Sequence, residues 1–297
     1  MSWALVARKD FEDVIRSFML WSVLGVSLLF LGIISFGVST GNTDQAGQET
    51  VYQLFNSVGA QILIPLMALI FTYMAIAGER ESGSLRILFG LTHGRGDVVI
   101  GKLLSRTATM AVSMLVAGVV VLALILVQFD SLDVDGFLAF LVLTQLLVLT
   151  FSGIGIGISS IASSRIRAMG AAVGSYVVFF IVWNPLAAVL HYAAKGELAG
   201  LEAPDWYLFF LNLNPLNTYR YTLGNQLDQY MGTFVGWPAI VEDIPAEQLS
   251  NPDALLLTNR ANDAFYTTDW FAVVVFLVWL AVPVLVGYWQ FQRADLN

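Results

Sequence analysis

The residues best spaced for chemistry in this 297-residue chain are Gly96, Gly101 and Lys102. They reproduce the G-x4-G-K spacing of a loop that wraps backbone N–H groups around nucleotide phosphates. That chemistry also needs a Ser or Thr hydroxyl on magnesium at the next position, which here is Leu103. No strand-like run precedes the glycines, and the apolar stretch that follows is long enough to cross a membrane, so nucleotide binding is rejected here. Met110 with Met114, and Met67 with Met74, share helical faces and could offer thioethers to Cu(I), but such stripes in apolar helices ordinarily fill gaps. Cysteine is absent and the two histidines, His93 and His191, stand far apart. No metal site, resident cofactor or catalytic cluster is therefore expected.

What remains is a polar island, residues 78–106, that opens Gly78-Glu79-Arg80-Glu81-Ser82-Gly83-Ser84-Leu85 and closes Gly101-Lys102-Leu103-Leu104-Ser105-Arg106. It carries five of the fourteen basic residues and lies between two apolar runs. Glu79 to Phe89 reads as a helix with Leu85, Leu88 and Phe89 on one face and Arg80, Glu81 and Arg86 outside. Gly90, Gly94 and Gly96 permit a reversal, and Asp97 is expected to N-cap the helix that returns through Gly101-Lys102.

The elements around the island follow from composition. With 57% hydrophobic and 12% charged residues and a mean hydropathy of +0.73, the chain reads as an all-α polytopic membrane protein. Six runs are expected to span: Phe18 to Val38, Val58 to Ala77, Ala108 to Val127, Gly136 to Ile158, Ala168 to Leu190 and Trp270 to Gln290. The first is read as an uncleaved span because its apolar run exceeds that of a signal peptide and lacks a small-x-small site. Before it, Trp3, Val6, Ala7, Phe11, Val14 and Phe18 recur at helical spacing among charges, which predicts an N-terminal interfacial helix.

Six spans bring both termini to one side, and eleven of the fourteen Lys and Arg fall there with the island. That side is therefore expected to be cytoplasmic, with the chain in the plasma membrane. Fifteen of the twenty-two acidic residues fall on the other side, including those of a long external loop, residues 191–269. In that loop an irregular stretch from Trp237 to Asn262 reads as a cap. An acidic excess of this size also suits a halophilic source.

The spans contain no Asp, Glu, Lys or Arg within their apolar cores, so an ion-coupled pump has nothing to work with. Pro65, Pro185 and Pro283 should kink or interrupt spans, and Gln61, Gln145 and Asn184 can hydrogen-bond between helices. Gly153 with Gly157, and Gly170 with Gly174, permit close helix approach. Transport by the chain would need energy delivered through a water-exposed surface, or the chain does not pump at all.

The run Glu79-Arg80-Glu81-x-Gly83-x-Leu85, followed by Arg95 and by Gly101-Lys102, resembles the cytoplasmic motif of type-2 ABC transporter permeases. The likeness covers nearly the whole chain: six spans, an elbow helix and an enlarged loop before the last span. It implies a single permease domain over residues 1–297 whose 78–106 segment couples to a separate ABC ATPase. Contacts with that partner are implied for Glu79, Arg80, Glu81, Gly83, Leu85, Phe89, Arg95, Gly101 and Lys102. Asn214-Pro215 with Tyr219-Arg220 further resembles a loop of permeases that mature nitrous oxide reductase, where copper or sulfur delivery is involved. Family members commonly carry a proline before Arg95, where this chain has Thr92-His93-Gly94.

The resemblance implies an exporter subunit that pairs with a second copy or a sister permease, sits in lipid and binds no nucleic acid. ATP and magnesium are expected on the partner ATPase. A membrane scaffold that passes ATPase motion to an external partner without flux is the alternative.

Overall fold

The computed structural model describes residues 2–40, 48–85, 94–129, 132–199, 203–227, 231 and 264–294, and among these there is no strand. An amphipathic helix, α1 (Ser2–Ile15), turns at Ser17 into the 23-residue apolar helix α2 (Phe18–Thr40). The next unit is segmented: α3 (Gln48–Leu54), a π-helical stretch (Phe55–Leu63), α4 (Ile64–Thr72), a turn, and α5 (Ala77–Ser82). Two long helices follow, α6 (Arg95–Gln128) and α7 (Val134–Ile161). Then come α8 (Arg165–Val177), a second π-helical stretch (Val178–Val182) and α9 (Trp183–Lys195). The short helices α10 (Asp205–Asn212) and α11 (Pro215–Gln226) precede the last helix, α12 (Asp269–Arg293).

Five stretches are long and apolar enough to cross a membrane: Thr50–Ser82, Arg95–Gln128, Val134–Ile161, Arg165–Lys195 and Asp269–Arg293. Helix α2, with 23 residues and no Asp, Glu, Lys or Arg, is the remaining candidate. Helix α6 starts at Arg95, well before the apolar run expected from Ala108. Its 34 residues reach about 51 Å at 1.5 Å per residue, roughly 20 Å more than a hydrocarbon core needs, so its charged end projects beyond it.

Helix α7 is the axis of the bundle, packing against α4, α6, α11 and α12. Glycines explain the approach of α12. A Cβ on Gly153 would come within 2.7 Å of Leu280 O, one on Gly157 would overlap Pro283 O, and one on Gly287 would lie 2.6 Å from Gly157 O. The sequence reading of Gly153 and Gly157 as packing sites thus holds, whereas Gly170 and Gly174 meet nothing within 4 Å in the single chain.

Two of the three prolines mark broken helix. The π-helical stretches end just before Pro65 and Pro185, whereas Pro283 lies inside an uninterrupted α12. Proline lacks the N–H that would reach back four residues, and for Pro65 that orphaned carbonyl is Gln61 O. The Tyr176 hydroxyl donates to it at 3.1 Å. In the second stretch Asn214 Nδ2 donates to Phe179 O at 2.7 Å, and Gln61 Nε2 donates to Leu216 O at 3.1 Å. Helices α10 and α11 therefore tuck against the broken segments, held also by Trp183 Nε1 on Phe210 O and Trp279 Nε1 on Leu213 O. The stretch expected to form an irregular cap, 237–262, lies outside the described residues.

Candidate functional site

The island is built where α4 stops. At Tyr73–Ile76 the helix unwinds, and the Ser159 hydroxyl of α7 accepts from Ile76 N at 2.9 Å and Ala77 N at 3.0 Å. A fully buried side chain thus takes up two orphaned N–H groups at the start of α5. Ser159→Ala should cost about 1–3 kcal/mol, the desolvation of donors left without an acceptor, read as a lower thermal midpoint in detergent.

Helix α5 is shorter than expected. It ends at Gly83, which adopts φ +76° and donates to Arg80 O at 3.3 Å, so the helix predicted from Glu79 to Phe89 is interrupted there. Only glycine enters that left-handed conformation without a Cβ penalty. The kink turns Leu85, 1% exposed, inward against Ala75, Ile76, Val98, Val99, Ile156 and Phe291. Leu85 is a brace. Arg86, Leu88 and Phe89 lie outside the described residues.

Where the chain returns, the N-cap of α6 is Gly94 and not Asp97. Asp97 stands three residues on and its carboxylate accepts from Gly94 N at 3.0 Å, the reverse half of a capping box. Gly96, Gly101 and Lys102 all lie on helix α6, so their phosphate-loop spacing has no loop to act in.

The charges of the island turn towards the bundle. Lys102, 3% exposed, donates to Asp10 Oδ1 of α1 at 3.0 Å and to Glu79 Oε1 of α5 at 2.8 Å. Asp10 also accepts from Ser105 Oγ at 2.8 Å, Arg106 Nε at 2.9 Å and Arg106 Nη2 at 3.2 Å. Two carboxylates and two cations make the group neutral, which is what permits its burial. Burial alone would raise the Asp10 carboxyl. The Lys102 and Arg106 charges, with hydrogen bonds from Arg106 and Ser105, outweigh that and hold its pKa below the ordinary 3.8.

Gly101 lets α1 come close: a Cβ there would stand 2.9 Å from both Trp3 O and Val6 Cβ. The guanidinium of Arg106 also lies over the Phe71 ring, 5.2 Å from its centroid. Glu81 Oε2 accepts from Arg165 N, the first helical N–H of α8, at 2.6 Å. Arg95 Nη1 donates to Phe291 O and Gln292 O, both at 2.6 Å, and so caps the C-terminal end of α12. Arg80 is half-buried on α5.

Glu79, Glu81, Arg95 and Lys102 are thus joined through α5 and α6 to α1, α8 and α12. An open notch of about 380 Å³ lies beside Glu79 and Lys102, lined also by Asp13, Met74, Arg106 and Arg165. Sequence reasoning did not single out Asp10, Ser105, Arg106, Ser159 or Arg165 as members of the site. Asp10 had a signal: Val6, Asp10 and Val14 follow one another at four-residue spacing and are all buried, a lone carboxylate within an apolar stripe. The hydroxyls had none, because a serine that caps another helix looks like any other serine.

A family model described as ABC-2 family transporter protein matches residues 4–296. The probable ABC transporter permease protein NosY of Pseudomonas aeruginosa is 30% identical over 224 residues, 72% of this chain and 78% of the relative. A protein of the same name from Stutzerimonas stutzeri is 26% identical across 97% of each chain.

Proposed function

The chain belongs to the ABC-2 family of transporter proteins, and from that premise we propose that it is the membrane half of an ATP-driven exporter, coupled through residues 78–106 to a separate ATPase. As an ABC-2 permease it is a multi-pass membrane subunit of an ABC transporter, and its family implies an ABC ATPase partner. The observation that carries the finer reading is the bonding of the island: Lys102, Glu81 and Arg95 tie it to α1, α8 and α12, and Glu79 joins its two arms, α5 and α6, through Lys102.

A push on α5 or on the end of α6 would therefore reach α1, α7, α8 and α12 together rather than one flexible loop. Motion of packed helices as bodies is the usual way such a local displacement becomes a change of access. Exposed Glu81, Ser82 and Ser84 face outward beside the turn and offer the contact with the ATPase, while Leu85 and Lys102 hold the segment from beneath. ATP and magnesium belong to the partner in this reading, because the only phosphate-loop spacing in the chain is helical.

The remaining parts of the proposal follow from charge and packing. The island and both ends of the described chain gather at one end of the bundle, and the excess of Lys and Arg there makes that end cytoplasmic. Helix α8 and the π-helical stretch after it leave Ile166, Met169, Val173 and Ile181 exposed around Gly170 and Gly174, a face suited to lipid and to a second copy of the chain.

The test is Glu81→Ala, alone and with Leu85→Ala, in vesicles containing the ATPase that co-purifies with the chain. Glu81→Ala should keep the complex assembled while lowering ATP-dependent flux and membrane-dependent ATPase stimulation at least tenfold; unchanged function in both variants would sink the coupling role. Stimulated ATP hydrolysis without flux of any cargo would favour the scaffold reading.

A further inference from the structure

At the end of the bundle opposite the termini, α11 carries Arg220, which is 94% buried with 6% exposure. Its neighbours along the helix, Leu216, Tyr219 and Leu223, are at most 1% exposed, so the helix is enclosed on that face. Arginine stays protonated at any accessible pH and cannot escape burial by losing its charge. Such a cation ordinarily has a carboxylate or several acceptors beside it. Among the described residues its Nε has no hydrogen-bond partner, and the guanidinium lies over the Tyr221 ring, 4.5 Å from the centroid.

Three of the described carboxylates near this end are engaged elsewhere. Asp133 caps Gly136 N, Asp205 accepts from the Tyr266 hydroxyl, and Asp269 accepts from Gln226. Other donors on the helices around α11 are also left over. Gln145 of α7 follows Thr144, whose hydroxyl meets the Tyr219 hydroxyl of α11 at 3.1 Å. Both of its amide atoms are buried without a partner. The Tyr52 hydroxyl, on α3 where that helix packs against Phe140 of α7, is buried and unpartnered as well.

We propose that Arg220 is the anchor of an oxyanion site in this end of the bundle, taking a carboxylate or a tetrahedral oxyanion. A guanidinium presents five N–H groups in a planar fork that matches two oxygens of such a group at once, and a bound anion supplies the missing charge. That the anion is a group on the transported molecule rests on the transporter reading above; the site itself does not.

The test uses the purified full chain in detergent and needs neither ATPase nor flux. Thermal unfolding is followed while chloride is replaced by sulfate, phosphate or acetate at constant ionic strength, for the parent, Arg220→Met and Arg220→Lys. Sulfate and phosphate stabilise proteins generally by exclusion from their surface, so the quantity that matters is the difference between parent and variant. The expected result is a saturable rise of several degrees for the parent with at least one of the three anions, absent in Arg220→Met. In chloride, Arg220→Met should unfold no lower than the parent, because it removes a charge that no described carboxylate pairs with. Arg220→Lys keeps the charge without the fork and should need at least tenfold more anion for half the effect.

An identical response in parent and Arg220→Lys, or no parent response to any of the anions, would overturn the proposal. So would an Arg220→Met midpoint well below the parent in chloride. Failure of Arg220→Met to accumulate leaves the Arg220→Lys comparison to decide. A saturable parent response to acetate alone identifies a carboxylate, and one to sulfate or phosphate alone a tetrahedral oxyanion. The absence of both leaves the coupling role of Glu81 untouched, and a failed flux assay leaves the anion response untouched.

Discussion

Asp10→Ala should destabilise the chain by about 3–5 kcal/mol, because it strands Lys102 and Arg106 at the foot of α6 with one carboxylate fewer than they need. Asp10 and Lys102 are 8% and 3% exposed, so solvent cannot take over the lost interactions. Glu79 remains on Lys102, but with 37% of its side chain exposed it is the weaker partner. Thermal unfolding of the detergent-solubilised protein reads the effect. A double-mutant cycle with Lys102→Met then separates the pair from the general cost of an unpaired charge, since the double variant should recover part of the loss. A single-variant loss below about 1 kcal/mol would mean that Asp10 is solvated in the native protein.

The pH dependence of this contribution has a definite sign. The Asp10 pKa is lower in the folded chain than its ordinary 3.8, so the unfolded chain binds the proton more readily. Asp10 therefore contributes fully above about pH 4, and the contribution is lost as pH falls through the depressed folded value. Between about pH 5 and 8 the difference between parent and Asp10→Ala should stay constant.

Gly157→Ala is expected to be the second large effect, and Gly157→Val larger still. A Cβ at this position meets not a flexible side chain but the backbone carbonyl of Pro283, while Gly287 presses back on Gly157 O. Helices α7 and α12 can accept it only by moving apart, which costs about 1–3 kcal/mol for overpacking and removes contacts along their whole length. Gly170→Ala is the matched control. With nothing within 4 Å, it should gain helix propensity of about 0.8–1 kcal/mol in the isolated chain. Expression level and thermal midpoint measure both, and equal behaviour of the two alanines would refute close packing of α7 on α12.

Much of the fold was legible because a bilayer imposes length and apolarity on each span. The runs from Val58, Gly136, Ala168 and Trp270 each lie within helices long enough to cross. Their ends were less legible, since nothing in the apolar pattern says that α6 continues as far back as Arg95. Proline positions pointed to interruptions at Pro65 and Pro185 but not to the continuous helix at Pro283, where α12 lies directly against Gly157 of α7.

In the island, residue types and spacing by themselves determined that a charged, glycine-punctuated segment stands between two spans on the side of the termini. Local charge and hydropathy suffice for that, because a bilayer excludes such a segment whatever its neighbours are. Only the tertiary structure decided where each charge goes. Lys102 could have faced a partner subunit or solvent; it is buried because Gly101 admits α1 and brings Asp10 within 3.0 Å. Glu81 caps α8, Arg95 caps α12 and Ser159 caps α5, all between residues more than eighty positions apart. A hydrogen bond depends on distances of tenths of an ångström set by helices meeting in space, and the order of residues along one helix does not contain them.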